Sequence, residues 1–116
     1  MNRVVTVEDV RAVALELPRS TEGFVRGRRK FYIGRIVYLA FSRDETLMGF
    51  GFPKDERDAL IASEPDTFQL PPARDLRYQW VVARMDALDV DEMRELVLDA
   101  WRMCVPKEVS ALVEGP

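Results

Sequence analysis

The chain has no histidine. That excludes a Ser-His or Cys-His nucleophile pair, and any general base whose unperturbed pKa lies near neutrality. Its single cysteine, Cys104, cannot form an internal disulfide and fits a reducing compartment. With nitrogen and sulfur ligands nearly absent, a metal would have to be held by carboxylates. No apolar run approaches the roughly 18 residues that span a bilayer. The N-terminal stretch Met1-Asn2-Arg3-Val4-Val5-Thr6 turns polar at once, unlike a secretory leader. The expectation is a single cytoplasmic domain over residues 1–116, with no membrane partner, no cofactor, no metal and no catalytic residues.

One stretch also lacks acid. Between Gly23 and Arg43 stand Arg26, Arg28, Arg29, Lys30, Arg35 and Arg43, with no carboxylate among them. A formal charge of -3 overall, against +6 here, leaves -9 for the remainder. Charge divided in this way gives one surface a positive potential on an acidic body, and a local field of that kind can hold an anion. A net negative chain would not coat nucleic acid through bulk charge. Arginine outnumbers lysine fourteen to three, and its planar fork suits phosphate or carboxylate.

The periodicities predict an order of helix, three-strand meander, short helix, strand, long helix. Thr6 and Asp9 have capping-box spacing, and Val10, Val13, Ala14 and Leu17 form one stripe ended by Pro18. Residues 19–27 read as a loop or irregular edge strand. Strands at 28–33, 36–41 and 46–52 follow, the first two joined by Gly34-Arg35 in a two-residue turn. If Ile33 pairs with Ile36 and Phe41 with Thr46, the core face holds Tyr32, Val37, Leu39, Phe41, Met48 and Phe50. A slip of one residue would reverse that assignment. A helix over 54–63, a short extended piece at 68–70 and a strand at 80–85 come next. Asp89 and Glu92 then cap a long helix whose apolar face runs from Met93 to Cys104, and a helical tail follows Pro106. No βαβ rhythm appears, which argues against a nucleotide-binding parallel sheet. The predicted fold is an α+β two-layer sandwich, an antiparallel sheet with the N- and C-terminal helices packed on one face.

Several pieces in order resemble the MmcQ/YjbR-like family. They are Thr6 to Arg11, Leu17-Pro18 with Glu22 and Gly23, Phe31 to Tyr38 around Gly34-Arg35, Arg57 to Leu60, Glu64 to Phe68, Trp80-Val81, and Leu96 to Pro106 with Ala100-Trp101-Arg102. The resemblance implies a frataxin-like α+β domain described as a DNA-binding double wing, although fold does not fix function. It also implies a histidine or similar polar residue ahead of the Arg28–Phe31 segment, and this chain has no histidine at all. Frataxin-like iron binding would need an acidic ridge on the first helix, where Arg11 interrupts Glu8, Asp9 and Glu16.

The candidate site is therefore a sheet surface that binds DNA or another phosphate-bearing anion through Arg26, Arg28, Arg29, Lys30 and Arg35. Arg77 joins it if the fourth strand lies beside the meander. Tyr32, Tyr38 and Trp80 are candidate stacking rings. Alternate residues of a strand point to opposite sides, so convergence of all these cations would need a bend or bulge. A second explanation is that Arg28, Lys30 and Arg43 blunt an exposed sheet edge. A second function is a protein-interaction or regulatory module, such as a homodimer, with no nucleic-acid role.

Overall fold

A computed structural model describes residues 4–114. The first helix, α1 (Val7–Ala14), starts where Thr6 Oγ1 accepts from the Asp9 N–H and Asp9 Oδ2 accepts from the Thr6 N–H. Val10, Ala14 and Leu17 are buried beneath it, as their spacing predicts.

Four strands then run as a meander: β1 (Ser20–Val25), β2 (Arg28–Ile33), β3 (Ile36–Phe41) and β4 (Leu47–Gly51). Where the sequence predicts a loop or an irregular edge strand, the structure has a regular edge strand, and all six residues of β1 pair in register with β2. Arg26 and Gly27 make this possible, because both have positive φ (55° and 78°) and so form the two-residue turn that matches strand twist. Arginine is strained there. Arg26→Asn supplies the Asn-Gly pair that such turns favour, and it should stabilise the fold by about 0.5–1 kcal/mol. A higher urea midpoint would show this, and an unchanged or lower one would count against the turn assignment.

The chain continues through α2 (Lys54–Ser63), β5 (Phe68–Gln69), β6 (Trp80–Arg84), α3 (Val90–Arg102) and α4 (Lys107–Glu114). Asp89 Oδ1 caps α3 by accepting from the Glu92 N–H at 2.7 Å, so this acidic cluster serves the helix N-terminus. The sheet order is β1-β2-β3-β4-β6-β5, with every neighbouring pair antiparallel. Helices α1 and α3 pack on each other, and α3 lies against β3 and β4. Helix α2 adjoins β5 and β6.

The core face carries Phe31, Leu39, Phe50 and Val81 in one cross-strand row, and Phe41, Met48, Ala83 and Phe68 in the next. This corrects the predicted faces. Ile33 does pair with Ile36, but the β2–β3 register shifts between Phe31 and Tyr32, leaving Tyr38 as the extra residue of a bulge. Phe41 pairs with Met48, not Thr46. Phe31 and Ile33 consequently face the core, whereas Tyr32 and Val37 face away from it. Tyr38 is turned inward and fully buried, its hydroxyl 2.5 Å from Ser20 Oγ. Burial pushes the Tyr38 hydroxyl pKa up to about 12. Cys104 falls just past α3, half-buried against the core, and burial raises its thiol pKa as well.

Candidate nucleic-acid interface

Alternation along each strand settles which side chains share the face away from α1 and α3. From β1 to β3 these are Thr21, Gly23, Val25, Arg28, Lys30, Tyr32, Val37 and Ala40. From β4 to β6 they are Leu47, Gly49, Gln69, Trp80, Val82 and Arg84. None is acidic. The one carboxylate within the strands, Glu22, lies on the other face.

Glu22 points to the helix side, where Arg11 Nε and Nη2 donate to its two oxygens at 2.7 and 3.0 Å. Arg29 Nη1 donates to the same carboxylate, while Arg29 Nε donates to Glu45 Oε2 at 2.8 Å. The Arg29 guanidinium also lies 4.8 Å from the centre of the Phe24 ring. Hydrogen bonds from Arg11 and then Arg29 hold the Glu22 carboxyl below its usual pKa, against an opposing effect of burial. Arg29 is thus a neutralised tie between sheet and helix. It does not belong to the basic surface, because its place in the alternation puts it on the opposite face from Arg28 and Lys30.

The other predicted cations fall into two groups. Arg26, Arg28 and Lys30 sit where β2 begins. Arg35 and Arg77 sit at the opposite end, in the β2–β3 turn and in the loop before β6. About 20 Å of strand separates Arg28 from Arg35. The bulge lies in β3 and leaves the alternation of β2 intact, so it does not gather them into a single array. Among the described residues, no carboxylate forms an ion pair with Arg26, Arg28, Lys30 or Arg35, and Arg77 has none in direct contact although Asp75 acts on it electrostatically. Arg77 instead donates to the Tyr78 hydroxyl at 2.8 Å and lies over that ring.

Tyr38 is not a surface ring, since the bulge has sent it into the core. Trp80 and Tyr32 remain on the second face, both half-buried. The indole of Trp80 lies on Gly49: a Cβ there would stand 2.6 Å from Nε1 and 2.8 Å from Cε2 and Cζ2. Tyr32 covers Gly23 in the same way, with Cε1 3.2 Å from the position of a Cβ. Gly49→Ala should therefore displace the indole and cost about 1–3 kcal/mol. A blue- or red-shifted tryptophan emission maximum with a lower urea midpoint would register it, whereas unchanged emission and midpoint would mean the ring is not seated there.

One further cation of this face was not among those the sequence pointed to. Arg84 shares the second face at the Arg28 end, its guanidinium 3.8 Å from Asp86, and the spacing Trp80, Val82, Arg84 was the signal that could have placed it. The edge-guarding explanation for Arg28 and Lys30 also fails, because β1 covers β2 and is itself the edge. Among the described residues, no group of three or more potential ligands could hold a metal ion, and no helix is long and apolar enough to cross a membrane.

Comparison with known proteins agrees with this architecture. The crystal structure of Deinococcus radiodurans protein DR2400, which carries domain DUF419, aligns with a TM-score of 0.75 at 19% identity, covering 97% of this chain and 91% of that one. That likeness concerns the fold. No curated protein matches the sequence. The family model described as YjbR matches residues 15–103, well over half of the chain, and the protein belongs to the YjbR family.

Proposed function

We propose that this protein is a non-catalytic binding domain for a phosphate-bearing polymer, with nucleic acid the first candidate, contacted by the second sheet face. One observation supports the reading above others: in a chain of net charge -3, that face has cations and no acid among its strand side chains. Of the chain's 20 Asp and Glu residues only Glu22 stands in a strand, and it lies on the other face. Arg26, Arg28 and Lys30 supply phosphate contacts at one end, and Arg35 and Arg77 supply them at the other. The planar guanidinium fork suits this task, because less side-chain freedom is lost for each hydrogen bond it forms.

Fluorescence anisotropy with a labelled oligonucleotide tests the proposal. Five cation–phosphate contacts on a single strand give a log–log salt slope of about -3.5, roughly a 100-fold loss of affinity between 50 and 200 mM salt. Arg28→Glu combined with Lys30→Glu should abolish binding and leave the far-ultraviolet circular dichroism unchanged. Flat titrations at low salt for single- and double-stranded DNA and RNA would remove the reading.

A second reading, a protein-interaction module, draws on β1. Phe24 and Val25 at this sheet edge are 61% and 42% exposed, and Glu22 is turned inward, so no charge guards the edge. Light scattering after size exclusion separates the two readings: a stable dimer that ignores added oligonucleotide favours this one.

A further inference from the structure

We infer that the second sheet face takes single-stranded nucleic acid in preference to a duplex, with bases stacked on Tyr32 and Trp80. This rests on the polyanion reading above and narrows its ligand.

Shape is the first argument. Six strands about 4.8 Å apart make a surface roughly 24 Å wide, whereas a duplex major groove is about 12 Å wide and admits a helix or a two-stranded ribbon. Neither element stands out from this face. The β1–β2 hairpin is a two-stranded ribbon, but it does not project. Lys30 pairs with Ala40 and Ala40 with Gly49, so Arg28 falls level with Ser42, Leu47 and Arg84. The Arg26-Gly27 tip thus ends beside the Arg43–Glu45 turn. A broad sheet held against a duplex reaches phosphates and few base edges, while an unpaired strand can lay its bases on it.

The aromatic rings are the second argument. Tyr32 pairs with Val37, Trp80 pairs with Gly51, and Leu39 pairs with Phe50, which puts both rings in the same cross-strand row. Three strand spacings, about 14 Å, separate their backbones. Each ring lies on a glycine, so the backbone beneath it has given way to a flat seat. Between them Val37 and Ala40 keep the surface low. The rings also lie between the two groups of cations: Arg28 and Lys30 to one side of their row, Arg35 and Arg77 to the other. A strand crossing the row meets stacking partners for its bases and cations for its backbone, without a carboxylate on the strands it crosses.

Intrinsic fluorescence offers a direct test, because the chain has two tryptophans and Trp101 is fully buried in the core. Quenching by a ligand on the second face reports Trp80. The protein is titrated at 50 mM salt with a twelve-nucleotide thymidine strand, the matching uridine strand, and a twelve-base-pair duplex. The single strands should quench the emission and bind at least about ten-fold more tightly than the duplex. Trp80→Leu should weaken single-strand binding roughly 5- to 100-fold, the range for loss of one base–aromatic stack, and leave duplex binding unchanged. Tyr32→Leu should do the same, and it carries the test should Trp80→Leu fail to fold by circular dichroism. Equal or tighter duplex binding, or single-strand affinity indifferent to both leucine variants, overturns the inference while the polyanion reading stands. Binding of neither form removes both.

Discussion

Trp101→Ala is expected to be the most destabilising single substitution in the protein. Trp101 is fully buried where α3 crosses the end of α1, and its indole Nε1 donates to the Pro18 carbonyl at 2.9 Å. Truncation removes the largest side chain of the core, opens a cavity and strands that carbonyl. Substitutions of this kind cost about 3–5 kcal/mol, against a total stability of roughly 5–15 kcal/mol for a domain of this size. Trp101→Phe keeps most of the volume and loses the hydrogen bond, so it should cost less. Urea unfolding followed by circular dichroism checks both variants. A loss below about 1 kcal/mol for Trp101→Ala would mean that α1 and α3 are not joined as described.

Arg57→Met should be the next most damaging change, and it acts on a polar group. Arg57 lies on α2, only 8% exposed. Its Nη1 donates to the Tyr78 and Trp80 carbonyls at 3.2 and 3.1 Å, and its Nη2 donates to the Leu76 carbonyl at 3.0 Å. The guanidinium therefore ties down the segment that enters β6. Methionine keeps the apolar stem and removes every donor, leaving three carbonyls without their charge-assisted partner. A loss of about 2–4 kcal/mol follows from unmet buried acceptors. Arg57→Lys retains the charge but not the fork, and it should recover only part of this. Because the segment carries Arg77 and Trp80, both variants should weaken oligonucleotide binding too, although Arg57 itself faces the interior. Urea unfolding and anisotropy measured side by side check the pair. Full stability in Arg57→Met would contradict the buried network.

How far the sequence was legible depended on whether the deciding physics was local. The Thr6–Asp9 cap, α2 over Lys54–Ser63 and the Asp89 cap of α3 follow from neighbouring residues, and the structure has them as expected. The helical tail after Pro106 is likewise α4. The bulge at Tyr38 has no local mark, since Ile36 to Phe41 reads as a continuous apolar strand. It alone reversed the faces of β2 and took Tyr38 off the surface. The status of β1 was ambiguous for a related reason: a turn with arginine at positive φ lacks the usual Asn-Gly signature. At the candidate site, the sequence found the cations but not their division. Alternation separated Arg29 from Arg28 and Lys30, and only tertiary contact revealed Arg11 and Glu45 as the groups that neutralise it and hold Glu22. Arg57 appeared within a family-like segment with no hint that three carbonyls from Leu76 to Trp80 converge on it.

The central claim is that the face away from α1 and α3 is the one that meets a polyanion. Backbone amide chemical shifts, followed by NMR while an oligonucleotide is added at low salt, test it residue by residue. The account predicts that perturbations concentrate at Arg28, Lys30, Tyr32, Trp80 and Val82, with α1 and α3 unaffected. Perturbations centred on those two helices, or none on β2 and β6, would contradict it.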